Sequence, residues 1–473
     1  MASKNISFDT IPASIRKPGK YFEFNTKLAV RTLPNNRQRM LILGQINSAG
    51  GTVAAGLVTQ VLSDADAALY FGWGSQAHLM VRAAIRANPY LDLSVLSMAN
   101  GTTAQTWTVT IANNATASGS IKLYIGNDLV ETVVTNADTA ANIAAAINTN
   151  IGNRADLPVT AGVVGAVVTL TAKTRGTIAT QIDMTYAISG VTATTVTIVA
   201  VTPGATDPAV NTALALVVGE QFDVIVSPFN ALADLDFLKA HLDTVSGAME
   251  QRPGVGVAAI DGVLATVTTL AAGRNSGRLL FGYLRDTRTP SYELAAALGA
   301  VLAGEEDPAR PLNTLELKGI HAPVVTSRFT RSEQESCLYN GTTPLEVGPG
   351  EKVQIVRAVS TYVHDGNAVD DISLLDITTI RTLDYVRKSV RERIALRFPR
   401  EKLSVKSAAR VKTEIMDVLL KLEELEIIEE VAANKAGVLV ERDLQDPNRL
   451  NARIPCDVVN GLHIFAGRID LLL

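Results

Sequence analysis

Short apolar runs alternate with helical stretches in two separated parts of this chain, and that alternation restricts the fold more than any other feature. Met40-Leu41-Ile42-Leu43-Gly44 is a compact apolar run closed by glycine, the pattern of a buried strand. Ser63-Asp64-Ala65-Asp66 then reads as a helix start, because Ser63 can accept from an unpaired N–H group and the acids suit the positive end. A second helix is expected over residues 76–87, stopped by Asn88-Pro89, and a strand over 91–97. The same grammar returns further on. Residues 222–226, 255–260 and 279–284 read as strands, and 234–249, 264–272 and 292–303 as helices, with Leu235, Leu238 and Leu242 on one side of the first. Strands joined through helices require crossover connections, so both parts belong to one parallel sheet with helices packed on it.

The interruption has a different chemistry. From Thr102 to about Thr206 the chain is rich in Thr, Val, Ala and Asn and poor in charge. Residues 107–111, 121–125 and 167–171 alternate apolar and polar side chains, as half-buried strands do. One helix is expected over 138–151, with Ile143, Ala146, Ile147 and Ile151 on one face. The block reads as a mostly-β domain inserted into the α/β domain, and Pro203-Gly204 and Asp207-Pro208 close it. The stretch between Asp183 and Asp207 carries no charge, but its near-alternation of Thr and Val suits a strand and not a membrane span.

Residues 313–361 carry strand and turn signals. From Asp371 the chain turns helical, with Leu374, Ile377, Ile380, Leu383 and Val386 at helical spacing. Arg381, Arg387, Lys388, Arg391, Arg393 and Arg397 make this helix basic, and Phe398-Pro399 ends it. A second helix is expected over 407–430, with Ile415, Leu419 and Leu422 on one face and an acidic end. Both chain ends read as extended: short runs at 6–8 and 21–24 among prolines, and strands at 458–459, 462–466 and 469–471. Such strands have no domain of their own to pair with, which makes them templates for pairing with another chain.

At 473 residues the chain has room for about three domains. Charged residues are 19%, below the usual quarter, while apolar residues reach 47%. Some of that surface is expected to be covered in an oligomer. The net charge of −4 gives no electrostatic case for nucleic acid. The opening Met1-Ala2-Ser3-Lys4-Asn5-Ile6-Ser7-Phe8-Asp9 lacks the apolar core of an export signal, and two cysteines imply no disulfide framework. Synthesis in a reducing cytoplasm is the expectation.

Catalysis needs a constellation, and the sequence offers none. HExxH, P-loop and GxSxG patterns are absent. Gly254-Val255-Gly256 opens a strand instead of following one, so it reads as a turn. The five histidines and two cysteines are too scattered for a metal site, and no cofactor is expected. His241, Asp261 and Ser276 can be drawn as a triad, which keeps an α/β hydrolase or peptidase as an alternative, but nothing local supports it. Glu305-Glu306 and Asp370-Asp371 read as loop charges, and the basic helix as a solvated face or a contact for an acidic protein surface.

The two ends carry a resemblance. Ile6-Ser7-Phe8-Asp9 through Ile11-Pro12, Ile15-Arg16-Lys17-Pro18-Gly19 and Tyr21 to Phe24, with Asp446-Pro447-Asn448-Arg449 and Asp457-Val458-Val459-Asn460-Gly461-Leu462-His463-Ile464-Phe465-Ala466, resemble Mu-like bacteriophage contractile tail sheath proteins. The resemblance covers nearly the whole chain. It implies a multidomain α/β and α+β protein: an N-terminal arm (1–38), a discontinuous α/β domain of subtilisin-like shape (39–100 with 207–312), the inserted outer domain (101–206), a C-terminal α+β inner domain (313–446) and a C-terminal strand arm (447–473). It further implies a virion component, assembled in the host cytoplasm, that stacks as hexameric rings around a tail tube and meets baseplate and tail terminator proteins. It implies contraction without catalysis, cofactor, nucleic acid or membrane insertion. Ile6, Phe8, Ile15, Tyr21, Phe24, Val459, Leu462, Ile464, Phe465 and Ile469 would join subunits through exchanged strands, and Arg387 and Arg391 would face the tube. A phage-derived contractile injector (a tailocin) would use nearly the same subunit.

Overall fold

A computed structural model describes residue 14 and residues 16–22, 33–47, 49–404 and 406–471. By its internal contacts the chain forms two units. The larger comprises residues 36–385, 426–430 and 456–473; the smaller comprises 1–35, 386–425 and 431–455.

The larger unit opens with β1 (Arg39–Gln45), β2 (Val58–Gln60), α1 (Asp64–Phe71), α2 (Gln76–Ala87) and β3 (Asp92–Met98). Ser63 caps α1 by accepting from the Asp66 N–H at 3.1 Å, and Ser75 caps α2 through the His78 N–H at 3.3 Å. The inserted block follows: β4 (Ala104–Ala112), β5 (Gly119–Ile125), β6 (Asp128–Val134), α3 (Ala140–Gly152), β7 (Val159–Val164), β8 (Val167–Arg175), β9 (Met184–Ser189) and β10 (Thr195–Thr202). The α/β grammar then resumes with α4 (Val210–Ala215), β11 (Val224–Val226), α5 (Leu232–Val245), β12 (Val255–Ile260), α6 (Leu264–Ala272), β13 (Leu279–Tyr283), α7 (Ser291–Gly304), α8 (Arg331–Tyr339), β14 (Thr343–Gly348) and β15 (Lys352–Ile355).

One eight-stranded sheet unites both parts, in the order β15-β14-β13-β12-β11-β1-β3-β2. The six strands from β14 to β3 run parallel, and an antiparallel strand closes each edge. β1 is central: Met40 pairs with Leu93 on one side and Val224 on the other, so the insertion separates strands that are neighbours in space. Burial on both faces explains the continuous apolar runs. α7 is Ala- and Leu-rich because it lies directly on this sheet; a Cβ at Gly299 would stand 2.4 Å from Val226. Gly256 has a similar cause, since a Cβ there would reach Leu238, Leu242 and Leu279 within 2.9 Å. The glycine pair at 254 and 256 thus serves packing and strand entry.

The insertion has its own core. Two antiparallel sheets, β10-β4-β8-β7 and β6-β5-β9, bury one face each, with every second residue of β4 inside. Trp107, Val109, Ile111, Leu123, Val168 and Leu170 pack there with Ile143, Ala144, Ile147 and Ile151 of α3. Ala144, not Ala146, completes the buried stripe, because the core reaches round to the position next to Ile143.

Beyond β15 the chain continues as α9 (Ile377–Arg397), α10 (Ser407–Glu424), β16 (Ile428–Glu429), α11 (Val431–Asn434), β17 (Leu439–Arg442), β18 (Leu450–Arg453) and β19 (Asp457–Val458). α9 starts six residues later than the periodicity predicts. Asp371 is held in a turn instead, where it accepts from the Tyr362 hydroxyl at 2.5 Å and the Ser373 N–H at 2.9 Å. α10 stops at Glu424 because Ile428 and Glu429 pair with Val458 and Asp457, a contact made 30 residues along the chain. In the smaller unit β17 and β18 form a hairpin whose loop is organised by Asp443. Its carboxylate accepts from the N–H groups of Gln445 and Asp446 and from Asn451, which holds its pKa at about 2. The hairpin pairs Leu439–Arg442 with Leu450–Arg453, across the boundary between 446 and 447 at which the C-terminal arm is expected to begin.

Candidate inter-subunit surface

The C-terminal segment lies along the larger unit and is tied to it at a few polar points. β19 pairs with β16, and the Val459 N–H donates to the Ile427 carbonyl at 3.4 Å. Gly461 then runs against Pro311, too close for a Cβ. The His463 ring sits 2.8 Å from the Asn313 amide nitrogen and 3.4 Å from the Asp376 carboxylate, which Arg357 clamps with two bonds of 2.8 and 2.7 Å. Burial and the Arg357 charge push the His463 imidazole below its usual range, against the pull of Asp376.

Around these anchors the apolar side chains point into solvent. Leu462, Ile464, Phe465, Ile469 and Leu471 are between 79% and 98% exposed. Five large apolar groups exposed within ten residues are a concentration of apolar surface, and such concentrations mark interaction sites. The strands expected at 462–466 and 469–471 are not formed. Residues 459–471 carry no ladder in the single chain, since a strand exists only when a second strand pairs with it.

At the other end, Tyr21 is exposed and donates its hydroxyl to the Lys17 carbonyl at 3.1 Å; Phe22 is 87% exposed. Ile6, Phe8, Ile15 and Phe24 lie outside the described residues.

The basic helix is not simply a solvated face. Arg381 is buried and donates to the Glu305 carbonyl; burial lowers its pKa to about 10 against the pull of Glu305, Asp223 and Asp307. Within the smaller unit Arg393 is buried and bridges Asp417 at 2.7 Å and Glu414 at 3.3 Å of α10, and Arg397 adds a contact to Glu414 at 3.5 Å. These arginines are internal struts. Lys388 donates to the Asn35 carbonyl at 2.8 Å. Arg387 is half-buried, as Lys388 and Arg397 are, and Arg391 is exposed.

The drawn triad does not assemble. Parallel pairing sets Gly256 beside Leu279 and Ile260 beside Tyr283, so Ser276 precedes β13 at one end of the sheet and Asp261 follows β12 at the other. Ser276 instead ties the loop before β13 to Thr361. His241 is buried on α5, where burial lowers its pKa. A polar cleft of about 780 Å³ does lie at the carboxyl edge of the sheet, between Asp261 and Asp286 and the β9 and β10 strands, but neither His241 nor Ser276 lines it. Among the described residues no group of three His, Cys, Asp or Glu side chains is placed to hold a metal, and no helix is long and apolar enough to cross a membrane. Cys337 and Cys456 are free thiols, and burial raises Cys337 to about 12.

Residues 203–361 match the phage tail sheath protein central domain, and residues 369–471 match the phage tail sheath C-terminal domain. The chain is 32% identical to the Mu-like prophage FluMu tail sheath protein of Haemophilus influenzae, over 99% of this chain and all of that one. The chain belongs to the phage tail sheath family. Its fold is similar to those of two sheath tail proteins in crystal structures. The one from Desulfitobacterium hafniense has a TM-score of 0.52 at 12% identity, covering 94% of this chain and 97% of that chain. The one from Listeria innocua has a TM-score of 0.52 at 14% identity, covering 91% and 94%. A chain of the anti-feeding prophage baseplate is similar at a TM-score of 0.52 and 12% identity, covering 97% of this sheath protein and all of that chain. A phage tail sheath protein is a structural component of the virion.

Proposed function

We propose that this sheath protein polymerises as stacked hexameric rings around a tail tube, and that the polymer shortens to drive the tube through a bacterial envelope. The observation that carries the reading is the C-terminal segment: five exposed apolar side chains on a stretch that forms no ladder in the single chain. Pairing with a neighbouring subunit would cover the apolar groups and satisfy the backbone together. Main-chain pairing of this kind survives a change of subunit packing, because linking segments bend while domains move as rigid bodies. The free energy of contraction would come from apolar surface buried between subunits, with no bond hydrolysed. The five segments read from the sequence, with arms at 1–38 and 447–473, fit this division of labour. The inner partners would be the tube, with Arg387 and Arg391 toward it, and the baseplate and terminator would meet the ends of the stack. Assembly would take place in the host cytoplasm. The likeness to an anti-feeding prophage chain favours a second setting, a phage-derived injector built on the same subunit.

Negative-stain electron microscopy of the protein expressed alone tests the proposal. Striated tubes or stacked rings support it. Monomers that persist when tube and baseplate proteins are co-expressed overturn it. Two variants separate the arms from the tube contact. Removal of residues 1–20 is expected to leave a folded subunit, with unchanged circular dichroism, that forms no tubes; normal tubes would sink the role of that arm. Arg387→Glu with Arg391→Glu is expected to lower co-sedimentation with tube at least tenfold before self-assembly suffers. Equal loss of both would reject the tube assignment.

A further inference from the structure

The inserted domain meets the α/β layer through a buried charge cluster that no sheath function described above uses. Arg82 of α2 is only 5% exposed and Glu293, in the first turn of α7, only 3%. Arg82 donates to Asp128 at 2.8 Å and lies 3.5 Å from Asp156, both on the inserted domain. Arg154 of the same domain closes the ring, at 3.2 Å to Asp128 and 2.7 Å to Asp156. Two arginines and two aspartates balance, and Glu293 is the fifth member. Asn127 joins it to the rest: its amide nitrogen stands 3.4 Å from the Glu293 carboxyl and 2.9 Å from the Gly319 carbonyl, and its oxygen accepts from Thr289 at 2.7 Å.

We propose that Glu293 is a proton-dependent latch: neutral, it lets the inserted domain seat on α2 and α7; ionised, it loosens that seat. An ionised Glu293 would bury a third carboxylate beside Arg82, whose charge Asp128 and Asp156 already share, with only the exposed Arg86 to offset it, and burying a poorly compensated charge is unfavourable. The groups facing it are Arg82 and the exposed Arg86 from α2, Asp128 and Asn127 from the β5–β6 turn, and Tyr292 on α7 itself. Arg154 and Asp156 stand behind Asp128, and Asp64 with His78 beside Arg82 on the α1 side. Burial, and then Asp128, push the Glu293 carboxyl up to about 7 against Arg82, Arg86 and Asn127. The positive end of α7 also opposes the rise without cancelling it. Docking is therefore strongest where Glu293 is neutral. It weakens as pH rises from the ordinary carboxyl range through about 7 and levels off above.

Hydrogen–deuterium exchange of the full chain at pH 6 and pH 8, corrected for intrinsic rates, tests the latch on peptides spanning 126–134 and 153–158. The opening constant of those peptides is expected to rise about tenfold between the two pH values, with peptides of β12 unchanged. Glu293→Gln, close in shape and uncharged, is expected to remove the rise and keep pH 6 protection at both. A flat wild-type response, or the same tenfold rise in Glu293→Gln, would overturn the proposal. The wild-type comparison decides by itself if the variant does not fold.

Discussion

Phe465→Asp is expected to abolish sheath assembly while leaving the subunit as stable as before. Phe465 is 87% exposed in the single chain, so its replacement removes almost no intramolecular packing. Surface changes of that kind stay within about 0.5 kcal/mol. In a polymer built through the C-terminal segment the same side chain would be buried. Loss of an apolar group of this size costs about 1.5–3 kcal/mol. Burying a carboxylate in its place costs at least another 1–2 kcal/mol. About 4 kcal/mol per contact is close to a thousandfold in affinity, and every subunit in the stack makes the contact. Sedimentation and negative-stain microscopy should show dispersed subunits, and thermal unfolding of the variant should match wild type. Phe465→Leu, which keeps an apolar side chain, should still assemble. Normal tubes from Phe465→Asp would place this segment outside every interface.

That prediction could be framed from sequence, because an apolar terminal segment without a domain is visible as a pattern. The parallel sheet was legible for a similar reason. Strands buried on both faces must be apolar throughout, and 40–44, 255–260 and 279–284 are, while 222–226 carries a charge only at Asp223, just before the strand itself. The insertion stood out because its strands bury one face only, so period-two alternation and a drop in charge coincide at Asn100-Gly101. Features that depend on distant pairing were not legible. Ile428 and Glu429 read as the end of a helix because their strand partner lies 30 residues on. The basic helix read as one face, yet Arg393 points at α10 and Arg381 at a carbonyl near position 305. The Glu293 cluster draws on residues from 82 to 293 and has no local motif. Its one sequence trace is that Arg82 is flanked by the apolar residues 79–81 and 83–85, and Glu293 is followed by the apolar run 294–298, where charge needs a partner.

Arg393→Ala should be the most damaging single change within the smaller unit. Its guanidinium is buried and shared between Asp417 and Glu414, so removal leaves two half-buried carboxylates facing the space it filled. Breaking a buried pair by deleting one partner costs about 3–5 kcal/mol, and the partial exposure of both acids brings the expectation to about 2–3 kcal/mol. Burial pushes the Asp417 carboxyl up, but hydrogen bonds from Lys421 and Arg393 outweigh it and leave its pKa below the usual range. In wild type that carboxylate therefore contributes stability present above the unfolded pKa of about 4 and lost as pH falls through the folded value. Without Arg393 this acid-side loss should shrink, because one of the hydrogen bonds that favour the charged form is gone while that of Lys421 stays. Limited proteolysis of the linker at 398–406 reads the opening of α9 from α10, and should run at least tenfold faster in Arg393→Ala at pH 7. Triple replacement of Arg393, Glu414 and Asp417 by Met, Gln and Asn should restore part of the resistance, since no carboxylate is then left facing the vacated site; Arg397 and Lys421 lose a partner in exchange. If the triple variant were as sensitive as Arg393→Ala, lost packing and not stranded charge would be the cause.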